Sequence, residues 1–207
     1  MLHNISYNIE VIIIPPKQRF TKEAVVAAAL NLVRREGIAG VTARGLGAEL
    51  GCSSRPIFTA FQNMDEVHRE TISAAQMLYN GYVEKGLSET PAFKGVGMQY
   101  IRFAREEPQL FGLLFMTAGE NALTLADVLP VIDGNSIRIL SSIENAYGLS
   151  RELSYRLYQS MWIFTHGIAC LCATGVGHLT EDETSCLLTE VFTGLLIKIK
   201  SEGNKND

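Results

Sequence analysis

A chain of 207 residues, 47% hydrophobic and 19% charged, carries enough apolar material for one sizeable core or a small module joined to a larger domain, which excludes a disordered chain. Its 18 basic and 22 acidic side chains leave a net charge of −4, which argues against a polyanion covering the whole surface. The balance is uneven: residues 1–64 hold seven basic against four acidic side chains, net +3, leaving −7 for residues 65–207. A basic head on an acidic body suits a protein that meets a polyanion with one end only.

In chain order, the β-branched run Ile12, Ile13, Ile14 is stopped by Pro15 and Pro16, so residues 1–17 read as an extended arm. From there the apolar positions recur at helical spacing, and an all-α fold of about nine helices is predicted. Thr21 caps a first helix over 21–36 with Phe20 as a staple, and Gly37 ends it. Thr42 opens a short second helix that stops at Gly51; Ser53 is the expected cap of a third that ends near Phe61. Asp65 is the expected cap of a longer fourth helix, with Gly86 as its terminator. Beyond Pro91 come a helix to Glu106, a piece from Pro108 through Phe115, a helix near 135–147, one opened by Ser150, and a last one opened by the capping box Thr180 to Glu183. Three regions follow: the arm at 1–17, a module of short helices at 18–78, and a larger helical domain at 79–203.

Residues 42–61 have the spacing of a helix-turn-helix. Gly51 supplies the positive φ of a tight turn, Gly47 permits a close crossing, and Leu46, Leu50, Cys52, Ile57 and Phe61 fill the space between the helices. Ser54, Arg55, Phe58 and Thr59 are left to project outward into a major groove. Arg55 matches guanine N7 and O6 or a phosphate, while Thr42 and Arg44 suit phosphates and Ser53 adds to the grip on DNA. Lys17 and Arg19 on the arm can reach backbone or minor groove.

The motif from Thr42 through Arg44, Leu46, Gly51, Ser53, Ile57, Phe58 and Phe61 to Val67 resembles the DNA-binding motif of TetR-family regulators, usually T-x-R-x-I-A-x-x-x-G-V-S-x-x-x-L-Y-x-x-F-x-x-K-x-x-L, over about residues 20–80. The resemblance implies an Ω-shaped homodimer whose two heads enter successive major grooves of a palindromic double-stranded operator. Phe58 stands where the family has a phosphate-binding tyrosine and Met64 where it has a lysine, so two implied phosphate contacts are missing. A second stretch, Phe103 to Phe111 followed by Trp162-Ile-Phe-Thr-His166-Gly167, is similar to the C-terminal domain of a TetR subgroup with a W-x-x-x-H-G signature.

A regulator of this kind needs a cavity whose filling moves its reading heads. Tyr100, Phe103, Phe111 and Phe115, with Met116, Trp162 and His166, are the candidates to line it, and the small-molecule effector is not specified by any residue. The wide apolar stripe of residues 187–199 exceeds one core face, so the last two helices are expected to make the homodimer.

No catalytic residue emerges. The chain has no G-x-S-x-G, no glycine-rich phosphate loop and no metal-spaced set, and Cys52, Cys170, Cys172 and Cys186 form no C-x-x-C pair. The sequence therefore implies no enzyme, no metal and no cofactor. The stretch 157–179 is broken by Gln159, Ser160, His166 and His178, so no membrane span is expected and the protein reads as cytoplasmic. The competing reading is a helical dimer that binds small molecules and has lost DNA binding.

Overall fold

The computed structural model describes residues 20–117 and 134–203. The arm over 1–17, with Lys17 and also Arg19, lies outside the described residues. Those described form nine α-helices and no strand: α1 (Lys22–Glu36), α2 (Ala43–Glu49), α3 (Ile57–Ala60), α4 (Met64–Leu87), α5 (Ala92–Glu106), α6 (Pro108–Phe115), α7 (Ser136–Tyr147), α8 (Arg151–Ala173) and α9 (Glu181–Gly203).

Several starts follow from local chemistry. The Thr21 hydroxyl accepts from Ala24 N and that of Ser150 from Leu153 N, each satisfying an amide with no partner inside its helix. At α9, Thr180 N donates to the Glu183 carboxylate at 2.8 Å while Glu183 N donates to Thr180 Oγ1 at 3.2 Å, a reciprocal capping box.

Three boundaries differ from the sequence reading. The cap of α4 is Asn63 rather than Asp65: its side chain accepts from Glu66 N, and the Glu66 carboxylate accepts from Gln62 N. Asp65 falls inside the first turn, where a carboxylate complements the helix dipole. The third helix is a single turn, and Ser53 does not cap it. Pro56 has no amide to donate and disfavours helical geometry at Arg55, so the chain bends through 53–56 before Ile57 N bonds to Ser54 O.

The third difference is Gly86, which does not end α4 but lies buried within it. A Cβ there would sit 2.6 Å from Val96 N and Cα, so glycine is what lets α4 cross α5 backbone to backbone. On one side α4 packs on α1, on the other on α5; α5 in turn packs on α8, and α8 on α9. One helix thus serves both halves of the chain and runs unbroken through the boundary at 78/79. The core is continuous, from Val25, Leu32 and Leu46 at one end through Tyr79, Phe103 and Phe111 to Ile143 and Leu157.

Replacing Gly86 by alanine forces a shift in packed backbone and is expected to cost about 1–3 kcal/mol in urea unfolding. Gly81→Ala, in the same helix with nothing described within 4 Å of the new methyl, is expected to gain about 0.5–1 kcal/mol. Equal effects at the two positions would contradict the crossing role of Gly86.

Candidate nucleic-acid interface and ligand cavity

The helix-turn-helix is held from inside by Leu46, Ile57 and Phe61, all nearly inaccessible, with Leu50 and Cys52 half-buried around them. Thr42 caps α2 by accepting from Gly45 N at 3.0 Å, and Gly51 takes φ 65° in the turn. Both glycines of α2 have spatial reasons: a Cβ at Gly45 would lie 2.7 Å from Gly40 O, and one at Gly47 2.9 Å from Cys52 O. His68 of α4 ties the module down by donating from Nε2 to Val41 O at 2.7 Å.

Of the expected contact residues that are described, Thr42, Arg44, Ser53, Arg55, Phe58 and Thr59 are exposed and Ser54 half-exposed. Their hydroxyls are not equivalent. Thr42 Oγ1 is used as an acceptor, which leaves its proton to donate, whereas the Thr59 proton is donated to Pro56 O at 2.6 Å and leaves only lone pairs. The cations divide more sharply. Lys22 pairs with Glu66, Arg34 with Glu107 and Arg35 with Glu49, while Arg44 and Arg55 have no carboxylate partner among the described residues. The Arg35 guanidinium holds Glu49 below the usual carboxylate range, and the hydrogen bond from Gln62 N, with Lys22 beside it, does the same for Glu66. The pairing of Arg34 is bidentate, at 2.8 and 2.7 Å, and joins α1 to the residue just before α6.

Away from this surface, α5, α8 and α9 enclose a cavity of about 350 Å³. Helix α5 contributes Phe93, Val96, Gly97 and Tyr100, and α8 contributes Tyr158, Met161, Trp162 and Thr165, both at i, i+3, i+4, i+7. Further wall comes from Leu188 and Phe192 of α9, Tyr147 at the end of α7 and Tyr79 of α4.

Of the seven expected lining residues, Tyr100 and Trp162 face this cavity. Phe103, Phe111 and Phe115 form an adjoining aromatic cluster with Tyr79, at centroid separations of 4.9–6.5 Å, and Met116 is exposed. His166 lies just behind the wall, stacked on Trp162 at 4.8 Å and 13°, with Tyr100 Oη 2.9 Å from its Nδ1 and Cys170 Sγ 3.3 Å from its Nε2. A neutral imidazole has one donor and one acceptor nitrogen, so this Tyr–His–Cys chain runs in one direction or the other. Burial keeps His166 below the ordinary imidazole range and pushes the Cys170 thiol up. Both are therefore held neutral and serve as packing and hydrogen-bonding groups.

Phe93, Lys94 and Phe192 were missed from sequence. Lys94 is half-buried, lines the cavity and has no carboxylate partner among the described residues. Among the described residues, no three His, Cys, Asp or Glu side chains gather to hold a metal, and no helix is long and apolar enough to cross a membrane.

Residues 93–191 match the family described as tetracyclin repressor-like, C-terminal domain, a span that contains most of the cavity wall. No curated protein matches the chain.

Because His166 takes up its proton less readily folded than unfolded, its contribution to stability is complete above the ordinary imidazole pKa of about 6.5 and shrinks as pH falls through it. Urea midpoints of the wild type should therefore drop between pH 7.5 and 5.5, and His166→Gln should flatten that drop. Parallel profiles for the two proteins would contradict a depressed His166.

Proposed function

We propose that this chain, a TetR-family protein by its C-terminal domain, is a sequence-specific DNA-binding repressor released from a palindromic operator by a small ligand. The carrying observation is the distribution of charge partners: along residues 20–64, three cations are neutralised by the protein's own carboxylates, and the two left over, Arg44 and Arg55, are exposed and lie on either side of the Gly51 turn in the chain. An unpaired arginine on a surface is cheap to keep, and two with an exposed Thr42 hydroxyl make a site for a phosphate backbone.

Arg55 then reads a base edge, Arg44 and Thr42 hold phosphates, and the exposed ring of Phe58 meets a thymine methyl or sugar rather than a phosphate. Ser53, Ser54 and Thr59 complete the surface, with Thr59 as an acceptor. Lys17 and Arg19 extend it along the backbone. Release is routed through α4 and the Arg34–Glu107 pair, which connect the reading head to the helices around the cavity. A ligand acts only through its different affinity for the two states, typically a coupling of about 1–3 kcal/mol.

Selection of bound sequences from random duplexes by the purified protein should enrich an inverted repeat. Arg55→Ala should weaken the selected site about tenfold or more and relax preference at one position, whereas Arg44→Ala should weaken all sequences alike and lower the salt slope by about 1. Absence of any enriched repeat would favour the helical small-molecule-binding dimer without DNA binding.

The homodimer is assigned to α8 and α9. Ile163 and Leu171 flank the exposed Gly167 on α8, and Leu187 and Ile197 flank the exposed Gly194 on α9, giving two adjoining apolar faces with small residues at their centres. Light scattering at micromolar concentration should give twice the chain mass for the wild type and the chain mass for Ile163→Glu with Ile197→Glu. A monomeric wild type would refute the assignment.

A further inference from the structure

We infer that the cavity between α5, α8 and α9 is built for a small planar aromatic anion, such as an aromatic carboxylate. This rests on the sensing role proposed above and names the chemistry of its ligand. Three independent features agree. The walls are aromatic on every side: Phe93 meets Tyr158 edge-on at 5.9 Å and Phe192 at 6.1 Å, and Tyr147 lies 5.0 Å from Phe192. Such rings favour a flat π-system, which they contact by face and edge. A volume of about 350 Å³ is at the lower end of small-molecule sites, roughly 300–1,000 Å³, and suits one or two fused rings.

The polar groups set the charge. Lys94 is the one charged side chain of the described lining, and no carboxylate of the lining accompanies it. A cationic ligand would meet an ammonium without a counter-charge, while a carboxylate would supply the missing partner in a region where apolar walls strengthen the attraction. The indole N–H of Trp162 is buried without a hydrogen-bond partner and touches no open space, so Trp162 serves the cavity as an aromatic wall. The Thr189 and Thr193 hydroxyls offer a ligand no proton, since theirs go to Ser185 O and Thr189 O of their own helix. A single charged side chain, a cation, thus lines a space walled by rings.

Trp162 is the only tryptophan of the chain, so its fluorescence reports directly on this cavity. Titrating the full chain with 2-naphthoate should quench it saturably. The uncharged 2-acetylnaphthalene and the aliphatic anion octanoate should each bind about tenfold more weakly, and 2-naphthylmethylammonium not at all. Lys94→Met should cut naphthoate affinity about tenfold and leave acetylnaphthalene unchanged, while Lys94→Arg retains naphthoate binding; circular dichroism checks that each variant is folded. Absence of saturable quenching by naphthoate, equal binding of the cation or of octanoate, or indifference to Lys94→Met would overturn the inference. Operator affinity is measured separately. If naphthoate binds as described but operator affinity is unmoved, the ligand class stands and the release reading fails; if an operator is selected but naphthoate does not bind, the reverse holds.

Discussion

The approach of α4 to α5 at Gly86 is the constraint on which the rest of the molecule turns. Backbone contact at that crossing leaves no room for even a methyl, so the two helices are fixed at one depth and one angle to each other. The elements N-terminal to α4 rest on its first half, where Val67, Thr71 and Ala75 are buried, with α1 resting also on α6; those C-terminal are built on α5. Tyr79 and Val83, between these ends, are buried in the common core, and Tyr79 lines the cavity as well. A change in the cavity therefore meets the same rigid helix that supports the reading head.

Much of this fold is written locally. Thr21, Thr42, Ser150 and the Thr180–Glu183 box mark helix starts because capping needs only residues within three positions, and Gly37 and Gly51 mark turns because a positive φ is a property of one residue. The same logic was available for Asn63 and Glu66, which stand three apart like the box at Thr180, and Asp65 drew attention from them only by being an equally good capping type. Gly86 is different in kind. A glycine that ends a helix and one that admits a neighbour look alike until the neighbour, ten residues on at Val96, is in place.

The outer surface of the helix-turn-helix was equally legible, since a short amphipathic pair leaves few choices about which side faces out. The cavity was not. Its walls come from residues 79 to 193, and a ring that lines a space has the same periodicity as one that fills it. Phe103, Phe111 and Phe115 on one side and Phe93, Tyr158 and Phe192 on the other cannot be sorted by sequence. Lys94 carried the only usable signal: a charged residue between Phe93 and Gly95, in a helix whose buried residues are apolar except for Gln99.

The Arg34–Glu107 pair gives the domain boundary a chemical identity. Its carboxylate is half-shielded and belongs to the segment between α5 and α6, close to Gln109, whose side chain sits beside Gly37 at the end of α1. A reading head transplanted onto another sensing domain would leave the guanidinium of Arg34 without its fork and Gly37 without its neighbour. The two halves are thus not interchangeable cassettes. Any recombination, natural or designed, that keeps them working as one has to carry residues 107–109 along with α1.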